Sequence, residues 1–302
     1  MILIIGDKSD NQIARVSEFL RQRGTEYKLV DPFGSVSLPE LWIGPRRIKS
    51  EYTAIWDRLK PIAIGILDEE AQYIMRERVA AIRAVQWQNE NATRQMNSVL
   101  ATERAKSKYL QLKVAKARGV TIPRTYIGND IDKICEFVED CSEGAIAKSL
   151  TWYVGADARL SFTHRISERD LRKAPASVGY SPLIYQELIP KKYELRITCV
   201  GSRLFAAKIH SQERRKSKTD WRRDQFALRY EKTALPAELE RGILRIQAGL
   251  GLAFGAYDFV LTPEDEYVFL EVNPSGNWLW LENQLHLPIS KEIANWLIAD
   301  AS

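Results

Sequence analysis

The 302-residue chain is poor in the side chains that many enzymes use as nucleophiles or metal ligands: it holds three cysteines and three histidines. Cys135, Cys141 and Cys199 lack the paired spacing of a zinc site and form no disulfide framework, which fits a reducing cytoplasm. His164, His210 and His286 are scattered, without metal or triad spacing, so ordinary structural roles suit them. Gly6 follows the first apolar run, but no G-x-G-x-x-G accompanies it, and no P-loop occurs in the chain. Phosphate capture of the Walker type is therefore excluded, and a Rossmann site has no support. No apolar run approaches a membrane span, and the chain opens on Ile2-Leu-Ile-Ile5 without a basic start and cleavage pattern. A soluble, cytoplasmic protein with no membrane partner is expected.

What remains is an ordinary globular balance, 45% hydrophobic and 27% charged, at a length that favours two or three subdomains over one core. The net charge of +5 is modest but unevenly placed. Between Arg203 and Arg223, eight basic residues face only Glu213 and Asp220, a block that attracts polyanions: nucleotide phosphates, nucleic acid or an acidic peptide. For any single residue of the block, a solvated surface position is the better expectation.

Strands and helices alternate from the start: Ile2–Ile5, an amphipathic helix from Asp10 to Arg23 ended by Gly24, and Tyr27–Val30. Short apolar runs follow at Trp42-Ile43 and Ala54-Ile-Trp56. Leu67 to Trp87 carries a core-facing stripe of Ile74, Met75, Val79, Ile82 and Val85. Ala101 to Arg118 reads as one helix closed by Gly119, with a strand entered through Pro123. Gly144-Ala-Ile-Ala-Lys148 is a strand interrupted by a lysine, which needs an anion or a route to water. Thr151–Thr163 continues as a hairpin-like segment around Gly155, and Leu183–Ile189 is an apolar strand ended by Pro190. Gly201-Ser202 makes a tight hairpin. Pro236–Leu250 and Ile289–Ala299 are amphipathic helices.

The most informative stretch is Ala256 to Trp280. Tyr257–Leu261 and Tyr267–Val272 flank Thr262-Pro-Glu-Asp265, the signature of a hairpin. Asp258 interrupts one apolar strand, and Glu271 and Asn273 lie two apart on the other, hence on one face. Buried carboxylates are costly unless paired, and an oxygen-only ligand set suits a hard cation such as Mg2+. A solvated strand face is the bland alternative; the apolar neighbours Phe259, Val260, Phe269, Leu270 and Val272 argue against it.

Asp258 together with Phe269-Leu-Glu271-Val-Asn273-Pro-Ser-Gly276-Asn-Trp278 resembles the metal-binding end of the ATP-grasp fold. The F-L-E-V-N-P-x-G-x-W form, with Leu279-Trp-Leu-Glu282, resembles more narrowly the microviridin-type (graspetide) peptide macrocyclase ligases. Lys191-Lys-Tyr-Glu-Leu-Arg196 and Asp220-Trp-Arg222 also match these ligases. The resemblance is detailed from Lys108 to the C-terminus. It implies an α/β (α+β) ATP-grasp architecture: an N-terminal α/β pre-grasp domain (1–100), a central subdomain (101–185) and a C-terminal subdomain (186–302), with the nucleotide cleft between the last two. It assigns Lys108, Lys148, Gln186, Glu187, Leu188, Ile189 and Glu194 to ATP. Within that set Lys108 meets the phosphates, Lys148 the phosphates or the adenine side, the backbone of Glu187 and Ile189 reads the adenine edge, and Glu194 holds the ribose. Asp258, Glu271 and Asn273 would hold Mg2+, with Arg196 and Arg222 as catalytic cations. A looser match, Trp56-Asp57-Arg58, falls in the N-terminal domain.

The implied chemistry is attack of a substrate carboxylate on the γ-phosphate of ATP, then capture of the acyl phosphate by a hydroxyl or amine; it requires no enzyme nucleophile. The implied partner is a ribosomal precursor peptide with a leader and an acidic core, the latter complemented by Arg214, Arg215 and Lys216. A homodimer is the implied assembly. Two alternatives compete: a RimK-like ligase adding an amino acid to a protein tail or small acceptor, and a basic nucleic-acid-binding protein. The second lacks any RRM, KH or helix-turn-helix signal, so no nucleic-acid partner is expected.

Overall fold

The computed structural model describes residues 1–34, 51–60, 68–90, 93–151, 162–173 and 175–299. The apolar run Trp42-Ile43 and most of the segment around Gly155 lie outside them. Three sheets follow one another along the chain.

The first comprises β1 (Ile2–Ile5), β2 (Tyr27–Val30), β3 (Ala54–Asp57) and β4 (Arg94–Met96), all parallel in the order β2-β1-β3-β4. β1 and β3 are buried on both faces, which is why they read as unbroken apolar runs. Helix α1 (Asn11–Gln22) starts where the Asp10 side chain accepts from the Gln12 N–H, and α2 (Glu69–Gln88) starts likewise at Asp68. Along α2, Met75, Ile82 and Val85 are buried as the stripe predicts, but Ile74 is 40% exposed.

The segment expected as one helix is two, α3 (Val99–Lys106) and α4 (Lys108–Ala117). Ser107 breaks it: its backbone is extended (φ −77°, ψ 105°), and its hydroxyl accepts from the Leu110 N–H. Serine favours such a cap over a helix interior. Lys108 thereby becomes the first residue of α4.

The central sheet joins β5 (Thr125–Gly128), β6 (Ala145–Lys148), β7 (His164–Ile166) and β8 (Leu183–Glu187) antiparallel, in the order β5-β8-β6-β7. Helices α5 (Ile131–Glu139), α6 (Glu168–Lys173) and α7 (Pro175–Tyr180) accompany it. The third sheet is antiparallel, β11-β10-β9-β12-β13, from β9 (Tyr193–Val200), β10 (Arg203–Ile209), β11 (Tyr230–Thr233), β12 (Phe254–Leu261) and β13 (Tyr267–Asn273). Helix α8 (Ala237–Leu250), closed by Gly251 in the left-handed region, packs with α3 and α4 on one face of it. Leu195, Ile197, Tyr257, Phe259, Phe269 and Val272 supply the apolar surface there. By packing, then, α3 and α4 belong to the third sheet rather than the central one. Helices α9 (Leu279–Leu285) and α10 (Ile289–Ile298) share a core with β1, α1 and Trp278, tying the first sheet to the end of the chain. Among the described residues no helix is long and apolar enough to cross a membrane.

Candidate active site

The face of the third sheet opposite α8 carries a row of charges. Arg196 on β9 pairs in register with Asp258 on β12, and Asp258 with Glu271 on β13. Arg196 Nη1 donates to Asp258 Oδ2 at 2.9 Å, and Lys108 Nζ, at the start of α4, reaches Glu271 Oε2 at 2.5 Å. A β-bulge makes the row. Asp258 faces Glu271 while Phe259 faces Phe269, so Leu270 is the extra residue. Without it Phe269 and Glu271, two apart, would share a face; with it Phe269 enters the core and Glu271 stays in the cleft. Asn273, opposite Ala256, follows on the cleft face, is exposed, and accepts from the Ser275 N–H through Oδ1 at 2.9 Å.

The charges divide by environment. Lys108, against the cost of burial and helped by Lys148 and Arg222, holds Glu271 well below the usual carboxylate range. Burial pushes Asp258 upward, opposed by Arg196 and reinforced by the Glu271 charge. Burial lowers Lys148 to about 8, partly offset by Glu271. Arg222 grips Asp220 through two parallel bonds of 2.8 and 2.6 Å. Burial would lower the Arg222 pKa, but this fork prevails and raises it. Lys108, Lys148, Arg196, Arg222, Asp258 and Glu271, each from a different element, therefore meet in one cleft.

Glu194 joins them less directly. It is on the cleft face of β9 but only 4% exposed, and Lys191 Nζ contacts its Oε1 at 3.0 Å. Burial raises its pKa in spite of Lys191. Its carboxylate is thus held by Lys191. At the linker, the Gln186 amide donates to Thr125 Oγ1, and the N–H groups of Glu187 and Leu188 are taken by Arg124 and Gly144 carbonyls. The Ile189 N–H makes no hydrogen bond among the described residues. A cavity of about 230 Å3 borders Glu187–Pro190.

The basic block is not one surface. Lys208 lies over the Tyr193 ring, and Arg223 lies over Phe162. Arg214, Arg215 and Lys216 are exposed together, with Arg214 Nε held 2.5 Å from Asp224 Oδ2. This loop carries 3-10 turns at Ser211–Glu213 and over Trp221–Ala227, the latter kinked at Asp224, and is anchored by buried Ser217 and Asp220.

A buried contact that no motif announced joins the end of β3 to the loop after β13. Arg58, 2% exposed at the end of β3, donates through Nη1 to the carbonyls of Ser275 and Gly276 and through Nη2 to Asn277 Oδ1 at 2.7 Å. Its guanidinium lies 4.7 Å from the Trp278 ring centroid and pairs with Asp10 at 3.5 Å. Burial lowers its pKa to about 10 despite Asp10. Arg58 so grips the loop that leaves Asn273, and the Trp56-Asp57-Arg58 string was its only trace in the sequence. On the N-terminal side of that loop a cavity of about 950 Å3 is bounded by Asp7, Asp10, Arg58, Ile74, Asn277 and Trp280, at the carboxyl ends of β1 and β3.

Two carboxylates and an amide carbonyl form an oxygen set that suits Mg2+. Asp258 Oδ1 is buried with no hydrogen-bond partner, an acceptor left for a cation, so the residues fit. Among the described residues no cluster of three or more His, Cys, Asp or Glu side chains offers another such site.

No protein-family model matches the sequence, and no curated protein matches it. Solved structures do. A Chryseobacterium gregarium RiPP-associated ATP-grasp ligase, in complex with ADP and a leader and core peptide, is 28% identical over 98% of this chain and 96% of its own, with a TM-score of 0.84. Macrocyclase MdnC from Microcystis aeruginosa MRC, bound with precursor peptide MdnA, is 27% identical over 99% of both chains, at 0.83. Macrocyclase MdnB from the same organism is 30% identical over 98% of this chain and 99% of its own, at 0.78. With this likeness along the whole chain and the charged row in the cleft, the protein belongs to the microviridin-type ATP-grasp peptide ligases.

Proposed function

We propose that this ligase activates Glu or Asp side chains of a ribosomal precursor peptide as acyl phosphates and closes intramolecular ester or amide crosslinks. The observation that carries the reading is the row Arg196–Asp258–Glu271 with Lys108 against it: alternating charge on a sheet floor, beside a linker with an unbonded Ile189 N–H. The adenine edge meets that N–H. Lys108 and Lys148 neutralise phosphate oxygens, and the Arg196 guanidinium orients the substrate carboxylate or the transferring phosphoryl group. Arg222, held rigid by Asp220, adds a second cation. Glu194 reaches the ribose once Lys191 releases it. Asp258, Glu271 and Asn273 would hold Mg2+, which would supply positive charge against the negative charge of the phosphates.

A carboxylate oxygen attacks the γ-phosphorus while the bond to the β–γ bridging oxygen breaks, and ADP leaves with the electron pair. The acceptor hydroxyl or amine then attacks the acyl carbon, phosphate departs, and the acceptor loses its proton. The peptide thereby loses one water per bond. The cavity beside Arg58 and Asn277 offers room for the peptide next to the cleft. A leader on the precursor, an acidic core facing Arg214, Arg215 and Lys216, a cytoplasmic location and a homodimer complete the proposal.

The test is intact-mass spectrometry of acidic precursor peptides incubated with the protein, ATP and Mg2+. Loss of about 18 Da per bond, abolished by Glu271→Gln and Asn273→Ala, is the expected result. Gain of amino-acid residues on a tail substrate would instead indicate RimK-like chemistry. ADP formation with no change in any peptide would refute the proposed substrate.

A further inference from the structure

We propose that Gln111 is a positioning residue that sets the spacing between the phosphate lysine and the metal strand; this rests on the nucleotide site proposed above. β13 is the outer strand of its sheet, so one side of its backbone has no neighbouring strand. Edge N–H and C=O groups that are buried must find partners. At Val272, the residue between Glu271 and Asn273, that partner is a side chain. Gln111 Oε1 accepts from the Val272 N–H at 2.9 Å, and Gln111 Nε2 donates to the Val272 carbonyl at 2.8 Å. The amide thus behaves as one residue of a missing strand. Its Nε2 also donates to the Ala105 carbonyl, across the break at Ser107.

Gln111 lies three residues after Lys108, on the same side of α4. One helix face therefore holds β13 by two kinds of contact, the Gln111 fork on Val272 and the Lys108 ammonium on Glu271. A carboxamide supplies both a donor and an acceptor at this reach. Gln111 is 4% exposed, so no water can stand in for it without rearrangement. The consequence is that Glu271 and Asn273 do not choose their positions alone: the backbone between them is clamped to the helix that delivers Lys108.

The experiment compares Gln111→Met with Gln247→Met. Gln247 is also 4% exposed, also donates to a carbonyl (Gly201) and also accepts a hydrogen bond (from Tyr257), but it lies on α8 and its side chain hydrogen-bonds neither Lys108 nor β13. Calorimetry reads ADP affinity in the presence of Mn2+, together with stoichiometry and melting temperature. Both variants are expected to melt earlier, whereas only Gln111→Met should weaken Mn2+–ADP binding, by about tenfold or more, as loss of an outer-shell support does at metal sites. Should Gln111→Met not fold, Gln111→Glu keeps length and acceptor, loses the donor, and is expected to weaken binding too. Unchanged affinity in the Gln111 variants, or an equal loss in Gln247→Met, overturns the inference while leaving the nucleotide site standing. Wild-type protein that bound no Mn2+–ADP would overturn both.

Discussion

Replacing Arg58 by Met tests whether the first sheet holds the loop that follows β13. The substitution keeps an apolar stem against Trp278 and removes the guanidinium that serves Ser275, Gly276 and Asn277 and pairs with Asp10. Breaking a buried, hydrogen-bonded ion pair from one side costs about 3–5 kcal/mol. Lys60, 2.9 Å from Asp10, retains part of that carboxylate's partnership, which favours the lower end. The stranded carbonyls add to the loss, each buried acceptor without a donor costing about 1–3 kcal/mol, not additively. Urea unfolding followed by tryptophan fluorescence should therefore give a destabilisation of about 3 kcal/mol or more. Activity measured well below the melting transition should fall about 100-fold, because the loop leaving Asn273 loses its anchor and misplacement by about 1 Å has that effect. Arg58→Lys keeps a charge near Asp10 without the planar fork; it should recover part of the stability and little of the activity. A Met variant within 1 kcal/mol of wild type by the same assay would falsify the account of Arg58 as a clamp (about 1 kcal/mol is what an exposed pair contributes).

Three further outcomes are expected. A Cβ on Gly276 would lie 2.4 Å from the Ala256 Cβ and 2.8 Å from Arg196 Nη2, so Gly276→Ala should displace that guanidinium and lower kcat by about 100-fold with a folded protein; unchanged kcat would mean Arg196 is not needed where it stands. Lys148 loses its proton near pH 8 in the folded chain and near 10.4 when unfolded, so kcat/KM for ATP should fall as pH rises through about 8, a limb that Lys148→Met removes. Between those two values the unfolded chain binds more protons, so this group's contribution to stability rises with pH; chemical denaturation at pH 8 and pH 10 checks the sign. At the peptide side, Arg215→Ala and Lys216→Ala should each weaken precursor binding about two- to fivefold at low salt and less at high salt. Arg214→Ala should matter less because Asp224 already holds that side chain, an order that titration at two salt concentrations would reverse if the pairing were irrelevant.

Local regularity explains what could be read in advance. The hairpin around Thr262–Glu266, the tight turn at Gly201 and the helix start at Asp10 were legible because each depends on a few neighbouring residues. The single helix expected from Ala101 to Arg118 failed at Ser107, where a capping hydroxyl competes with a weak interior position. Ile74 failed because periodicity marks an apolar face but not whether anything covers it.

By itself the sequence determined the chemistry on offer: Asp258, Glu271 and Asn273 in apolar strands, with Glu271 and Asn273 on one face because side chains alternate, and Lys148 in a strand that calls for an anion or a route to water. Only the tertiary structure decided the pairing. It put the bulge at Leu270 that turns Glu271 into the cleft, brought Lys108 onto it, occupied Glu194 with Lys191, and closed the site with Arg58 from more than 200 residues away. Strand periodicity and caps are near-neighbour properties, written in consecutive residues. Register across a sheet and the approach of one domain to another are settled by the total burial of surfaces distant in the chain, which no local pattern encodes.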